Sequence, residues 1–275
     1  MTNDKFGDRM KEYEMAEAGR KAMPGLPLLA RLDGRAFHTF TKGMKRPYDA
    51  EISYAMIDTT KFLVDKTHAD LGYTQSDEIT LFWRGSDEGS EYMFDGRFQK
   101  LSSVLAGMAS AQFMKCMITS QSYGDRAKKL VPSFDCRVWQ VPSLDVAADV
   151  FAWRAADAIK NSVSMAAQAH FSHKELQNKN SVQKKEMLWE KGVEWGNYPW
   201  FFKQGTFVKR INREVTLTPY ELSQIPEKHR PTGPVLRTVV TTLPDFAPLG
   251  RVKNRAAYLF DGEEAILHSI PEEEV

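Results

Sequence analysis

Cysteine, net charge and long apolar runs are all scarce in this sequence. Only Cys116 and Cys136 occur among 275 residues. Two thiols are too few for a disulfide scaffold or a cysteine zinc centre, so they read as reduced, mostly buried side chains. Lysine and arginine number 37 against 36 aspartates and glutamates, a formal net charge of +1. There is no global positive field to recruit a polyanion, and a nucleic acid needs a local basic patch. No apolar run is expected to reach the roughly 20 residues of a membrane span. The N-terminus carries Asp4, Lys5, Asp8 and Arg9 where a signal peptide has its apolar core. The expectation is a cytoplasmic protein with no membrane partner. There is no Walker-type glycine loop, and no serine–histidine–acid set stands out as a hydrolase triad.

The rest is ordinary globular usage, with 42% hydrophobic residues. A chain of this length makes one large domain or two small ones and buries roughly three quarters of its surface. Residues 4–21 are charged, with Phe6, Met10 and Tyr13 at helical spacing. They predict a short helix that docks this stripe on the body. After a proline–glycine break at 23–27, residues 28–32 predict a strand ending at Asp33-Gly34-Arg35. Residues 49–70 predict a helix, with Asp49 placed to cap it. Residues 73–83 predict a strand, or two around a tight turn, with Ile79, Leu81 and Trp83 alternating. A polar loop at 85–89, a helix over 95–117, a strand over 134–141 and an alanine-rich helix over 147–170 follow.

Strand, helix, hairpin, helix, strand is the split βαβ order. It predicts an α+β fold: a polymerase-palm or ferredoxin-like antiparallel sheet with helices packed on one face, plus a C-terminal extension. Residues 1–140 are expected to form a palm-like catalytic domain with its N-terminal helix. Residues 141–215, helical and rich in lysine and aromatics, complete it. Residues 216–275 form an extension of unassigned fold, ending in acids at 272–274.

The chemical signal is a set of acids at strand ends. Asp33 follows one apolar strand, and Ser76-Asp77-Glu78 precedes another. On adjacent strands these carboxylates fall within a few ångströms, where like charge raises one pKa unless a cation intervenes. Oxygen donors of this kind suit magnesium, and two such ions serve an attacking and a leaving oxygen. The Gly34 carbonyl is a further donor at the turn. The plain alternative is that these acids cap turns or pair with surface cations. Arg97 and Lys100 lie three apart on the expected helix, share a face and suit a triphosphate. Arg35 and Arg46 are further cations. His38, between Phe37 and Phe40, reads as a hydrogen-bonded histidine near the core. The aromatic cluster at 195–202 reads as core or subunit contact.

The motifs together resemble the tRNA-histidine guanylyltransferase family. They are Arg31-Leu32-Asp33-Gly34-Arg35-Ala36-Phe37-His38, Arg46-Pro47-Tyr48-Asp49 and Gly72-Tyr73-Thr74-Gln75-Ser76-Asp77-Glu78. Next come Gly96-Arg97-Phe98-Gln99-Lys100-Leu101, Phe134-Asp135-Cys136-Arg137, and Trp153-Arg154-Ala155-Ala156-Asp157 with Asn161. Lys184-Lys185-Glu186-Met187-Leu188 and Lys203-Gln204-Gly205-Thr206 close the set. The resemblance spans roughly residues 5–210; each motif alone is weak, and their fixed order is strong.

The resemblance implies a palm-like domain that grows RNA in the 3′-to-5′ direction with two magnesium ions. Asp33, the Gly34 carbonyl and Asp77 would hold the ions, with Glu78 beside them. It places Arg97, Lys100 and Lys184 at the triphosphate, and Arg46 and Asn161 at activation of the 5′ end. Arg35, Asp49 and Ser76 join the nucleotide-binding set. Arg46 stands where the eukaryotic enzymes have lysine, so fork geometry replaces a point charge. Their His-Ile-Asn-Asn run reads Ala158-Ile159-Lys160-Asn161-Ser162 here. The chain is therefore more similar to the bacterial, archaeal and phage-type like-proteins, which repair truncated tRNA 5′ ends.

The implied partners are tRNA, ATP, and GTP or other nucleoside triphosphates, within a homotetramer. A 5′-monophosphate end is activated by ATP before the 3′-hydroxyl of the incoming nucleotide attacks it. The alternatives are a palm-fold nucleotide cyclase and a non-catalytic tRNA-binding protein.

Overall fold

The computed structural model describes residues 5–85, 92–243 and 246–268. The expected acids at 272–274 and most of the polar loop at 85–89 lie outside the described residues. Strands β1 (Leu28–Arg35), β2 (Leu71–Gln75), β3 (Glu78–Trp83), β4 (Ser133–Gln140), β5 (Thr206–Val215) and β6 (Val235–Leu243) form one antiparallel sheet. Its order is β4-β1-β3-β2-β5-β6. The main helices are α1 (Lys5–Ala18), α2 (Ala50–Thr67), α3 (Phe98–Ile118), α4 (Gly124–Leu130), α5 (Leu144–His170), α6 (Ser181–Glu190) and α7 (Trp200–Gln204). The first four strands with α2 and α3 as crossovers are the ferredoxin-like unit that the element order implies. Strands β5 and β6 add to its β2 edge.

Strand alternation divides the core in two. Leu28, Ala30 and Leu32 of β1, with Ile79, Leu81 and Trp83 of β3, pack against α2 and α3. Leu29 and Phe82 face the other way, into a second core with Phe151, Ala147, Ala148 and Ala155 of α5. Alanines let α5 lie close to the sheet, while Phe151, fully buried, contributes about 2–3 kcal/mol of apolar burial. The C-terminal segment closes this face through Leu249, Val252 and Leu259, and Phe260 stacks on Phe82 with ring centroids 4.1 Å apart. The two crossover helices thus share one face as expected, and α5 with the C-terminal segment covers the other.

Helix α2 starts where the sequence indicates. The Asp49 carboxylate accepts from the Glu51 and Ile52 amides, answering donors that a helix start leaves open. Gly72 follows because a Cβ there would lie 2.7 Å from Val64 Cγ2, so only glycine lets α2 approach β2. Helix α3 begins later than expected. Phe94 and Asp95 take left-handed backbone angles in a short turn at Met93–Gly96, which delays the helix until Phe98.

Two expectations are corrected. The Phe6, Met10 and Tyr13 stripe of α1 is not docked: these side chains are 67%, 38% and 66% exposed. A stripe of the right spacing needs a facing surface, and the body offers α1 little contact. Helix α3 is long and apolar enough, at mean hydropathy 1.2, to cross a membrane by length and composition, against the expectation that no run reaches that length. Its Leu101, Leu105, Ala109, Phe113 and Met117 are buried in the first core. Cys116 and Cys136 are free thiols, both half-buried.

Candidate active site

The β1–β3 register brings the acids together. Asp33 pairs directly with Glu78, and the Gly34 amide donates to the Asp77 carbonyl at 3.1 Å. The turn between β2 and β3 holds Ser76 at φ 50°, and its hydroxyl donates to Asp77 Oδ1 at 3.1 Å. Burial pushes the Asp77 carboxyl above the usual carboxylate range, and the charges of Asp33 and Glu78 push the same way. Its own backbone amide and Ser76 act in the opposite direction. Gly34 is required by crowding: a Cβ there would lie 2.6 Å from Phe37 Cγ. Phe37 cannot yield, being buried against Phe40, Phe113 and Phe134.

Glu78 has a protein partner. Arg154 of α5, 4% exposed, donates to Glu78 Oε2 and also lies 3.3 Å from Asp157 Oδ2. The charge of Glu78 is therefore met within the chain, which separates it from Asp33 and Asp77. Sequence reasoning missed Arg154 as a site residue. The signal was available in the Trp153-Arg154 motif and in the i,i+3 spacing to Asp157, but nothing local connects either to Glu78.

A cavity of about 490 Å³ opens beside the acids. Its lining includes Arg46, Ser76, Asp77 and Asn161 from the expected set, with Tyr48, Phe201 and Phe202 on its apolar side. The 195–202 aromatics, read as core or subunit contact, include Phe201 and Phe202 as half-buried walls of this cavity. His38 has a hydrogen-bond partner in Thr39 Oγ1 at 3.1 Å, but its expected place near the core is corrected, because it is exposed at this cavity. Asn161 is exposed and donates to Asp157 at 3.5 Å.

Asp49 lines the same cavity, but its oxygens are already engaged. Besides capping α2, it accepts from the Tyr123 hydroxyl at 2.5 Å and the Lys45 amide at 3.4 Å. Within the chain these bonds make it an organiser of the loop carrying Arg46. Arg126 helps by donating to the carbonyls of Phe40 and Lys42. The bond to Asp49 is the main reason the Tyr123 hydroxyl is pushed up to about 12. Tyr123→Phe is expected to lower stability by about 1–2 kcal/mol in urea unfolding. A raised tyrosine pKa makes this contribution complete below pH 10 and lost as pH climbs toward 12. The stability gap between wild type and Tyr123→Phe should close over that window.

The remaining cations stand apart from the cavity lining. Arg35 is exposed at the end of β1. Arg97 is the residue before α3, in extended conformation, so it does not share a helical face with Lys100 as the spacing suggests. The Lys100 ammonium lies over the Phe94 ring, 5.0 Å from its centroid. Lys184 of α6 donates to Ser164 of α5 at 3.1 Å. Among the described residues no three His, Cys, Asp or Glu side chains form a metal-binding group, so the acid pair and the Gly34 carbonyl are the donor set to consider.

A four-stranded palm with acids meeting on its two central strands, beside a nucleoside-sized cavity, defines a nucleotidyltransferase of the palm type. Comparison with known proteins is specific. The family model described as tRNAHis guanylyltransferase matches residues 7–142. A bacterial tRNA(His) guanylyltransferase-like protein in complex with ATP superposes with a TM-score of 0.76 at 31% identity, covering 94% of this chain and 98% of that one. A bacterial like-protein in complex with GTP gives 0.72 at 29% identity, covering 94% and 100%. A mimivirus protein, R259, itself uncharacterized, is 30% identical over 228 residues, 76% of this chain and 78% of its own. The chain belongs to the tRNA-histidine guanylyltransferase family.

Proposed function

We propose that the protein adds nucleotides to the 5′ ends of tRNA in the 3′-to-5′ direction, copying the opposite strand, as in repair of truncated ends. The observation that carries this reading is the meeting of Asp33 with the Asp77 turn at the edge of a cavity that bears Arg46 and Asn161. The ATP- and GTP-bound bacterial relatives support both nucleotides as substrates.

The donor set suits two magnesium ions. Asp33, Asp77 and the Gly34 carbonyl are hard oxygen donors set close together, and burial, with a smaller push from the charges of Asp33 and Glu78, holds the Asp77 carboxyl above its usual range. When bound, the ions would neutralise phosphate charge and make the attacking hydroxyl more acidic. The chain's own groups do the rest. Arg46, exposed at the cavity, draws charge from the 5′ phosphate, and the Asn161 amide orients it. Phe201, Phe202 and Met165 give a base an apolar wall. Arg35, Arg97, Lys100 and Lys184 hold polyphosphate from outside the cavity.

A 5′-monophosphate end takes an adenylyl group from ATP and releases pyrophosphate. The 3′-hydroxyl of the incoming nucleotide then attacks the 5′ phosphate, and AMP leaves. A 5′-triphosphate end needs no activation and releases pyrophosphate. A homotetramer belongs to the same reading, supported by the uncovered apolar stripe of α1.

The test offers 5′-truncated tRNAs with each of the four nucleotides and magnesium. Incorporation should follow the opposite strand. A cyclic product from GTP without RNA would make the protein a cyclase. RNA binding without incorporation on any truncated tRNA would make it a binding protein.

A further inference from the structure

Most polar side chains that line the cavity beside the acids are already engaged within the chain. The Thr41 hydroxyl donates to the Phe37 carbonyl at 2.8 Å, and Ser53 to the Asp49 carbonyl at 2.9 Å. Ser162 donates to the carbonyls of Ile159 and Lys203. Two of the three lining amides are engaged as well. Gln75 donates to Glu78 at 3.4 Å and Asn161 to Asp157 at 3.5 Å. The third, Gln168, is exposed on the lining, and its amide has no hydrogen-bond partner among the described residues.

The place of Gln168 on α5 gives the free amide a meaning. Arg154, Asn161 and Gln168 recur every seven residues along this unbroken helix, so they share a face. Each step is about 10 Å long. Arg154 is anchored on Glu78, beside the acid pair. Asn161 follows one step out and Gln168 two, both on the cavity lining. Met165, four residues after Asn161 and three before Gln168, falls on the same face and lines the same cavity. The order outward is an amide for a phosphate, an apolar surface for a base and a free amide for the edge of that base. The step from Asn161 to Gln168 matches the reach from a nucleotide's α-phosphate to the outer edge of a purine.

We propose that Gln168 is a specificity residue, reading the adenine of the ATP that activates the 5′ end. A glutamine amide meets adenine through two bonds. Its Oε1 accepts from the N6 amine, and its Nε2 donates to the ring nitrogen beside that amine. A purine without the amine forfeits one bond and leaves Oε1 unanswered. This assignment deepens the nucleotidyltransferase reading and rests on it, but binding without RNA tests it separately.

Wild type and Gln168→Leu are compared by calorimetry, with magnesium and no RNA, for ATP, GTP, purine riboside triphosphate and inorganic tripolyphosphate. Wild type should bind ATP about tenfold more tightly than purine riboside triphosphate, which lacks the amine. Gln168→Leu should lose about tenfold for ATP and no longer distinguish these two ligands. Its affinity for tripolyphosphate should stay within twofold of wild type, and its melting temperature within about 2 °C, because the side chain is exposed. Equal wild-type affinity for ATP and purine riboside triphosphate would overturn the proposal. So would a variant that keeps the wild-type preference, one that loses tripolyphosphate as much as ATP, or one that loses GTP alone. Discrimination by Gln168 in a protein that adds no nucleotide to any tRNA would refute the proposed function and leave this assignment standing. Templated addition by a wild type blind to the amine would do the reverse.

Discussion

Asp77→Asn is expected to cut nucleotide addition by roughly a thousandfold or more, with no loss of thermal stability. The substitution keeps the shape of the side chain and removes its charge. Burial and the neighbouring Asp33 and Glu78 disfavour the ionised Asp77 in the folded chain, so the neutral amide relieves a strain and does not create one. Asp33→Asn should behave alike, since its partner across the sheet is Glu78 and its neighbour on the strand, Gly34, is bonded to Asp77. Initial rates on a 5′-truncated tRNA check both variants. A wild-type rate in either one would break the assignment of the acid pair.

The second large effect concerns Arg154, and it acts on stability first. Arg154→Ala should cost about 3–5 kcal/mol, a fall in melting temperature of roughly 10 °C. The loss comes from leaving Glu78 without its partner next to two further acids, more than from any strength of the pair itself. Glu78→Gln in the same chain should therefore recover much of it, which a double-mutant cycle measures. Independent, additive losses would show that Arg154 supports α5 in some way other than by answering Glu78.

Much of this was legible from residue order. Periodicity marked β1, β3 and the two crossover helices, and the tight turn offered within 73–83 falls at Ser76, whereas the turn expected at Gly34 is absent because β1 runs on to Arg35, paired with β4. Their combination brings Asp33 and the Ser76-Asp77-Glu78 segment together at adjacent strand ends. The parts that were not legible depend on contacts distant in sequence. Glu78 and Arg154 are 76 residues apart, and no local pattern connects them. That Asp49, besides capping α2, also holds the Tyr123 hydroxyl 74 residues on has no local signal either. Arg97 and Lys100 seemed to share a helical face, but left-handed backbone at Phe94 and Asp95 delays the helix past Arg97.

Divalent-cation binding tests the central claim most directly. Mn2+ can replace Mg2+, and its binding can be followed by magnetic resonance in the presence of a non-hydrolysable nucleoside triphosphate. The account predicts saturable binding to wild type, and binding at least about tenfold weaker in both Asp33→Asn and Asp77→Asn while each stays folded. Equal Mn2+ affinity in all three proteins would contradict it.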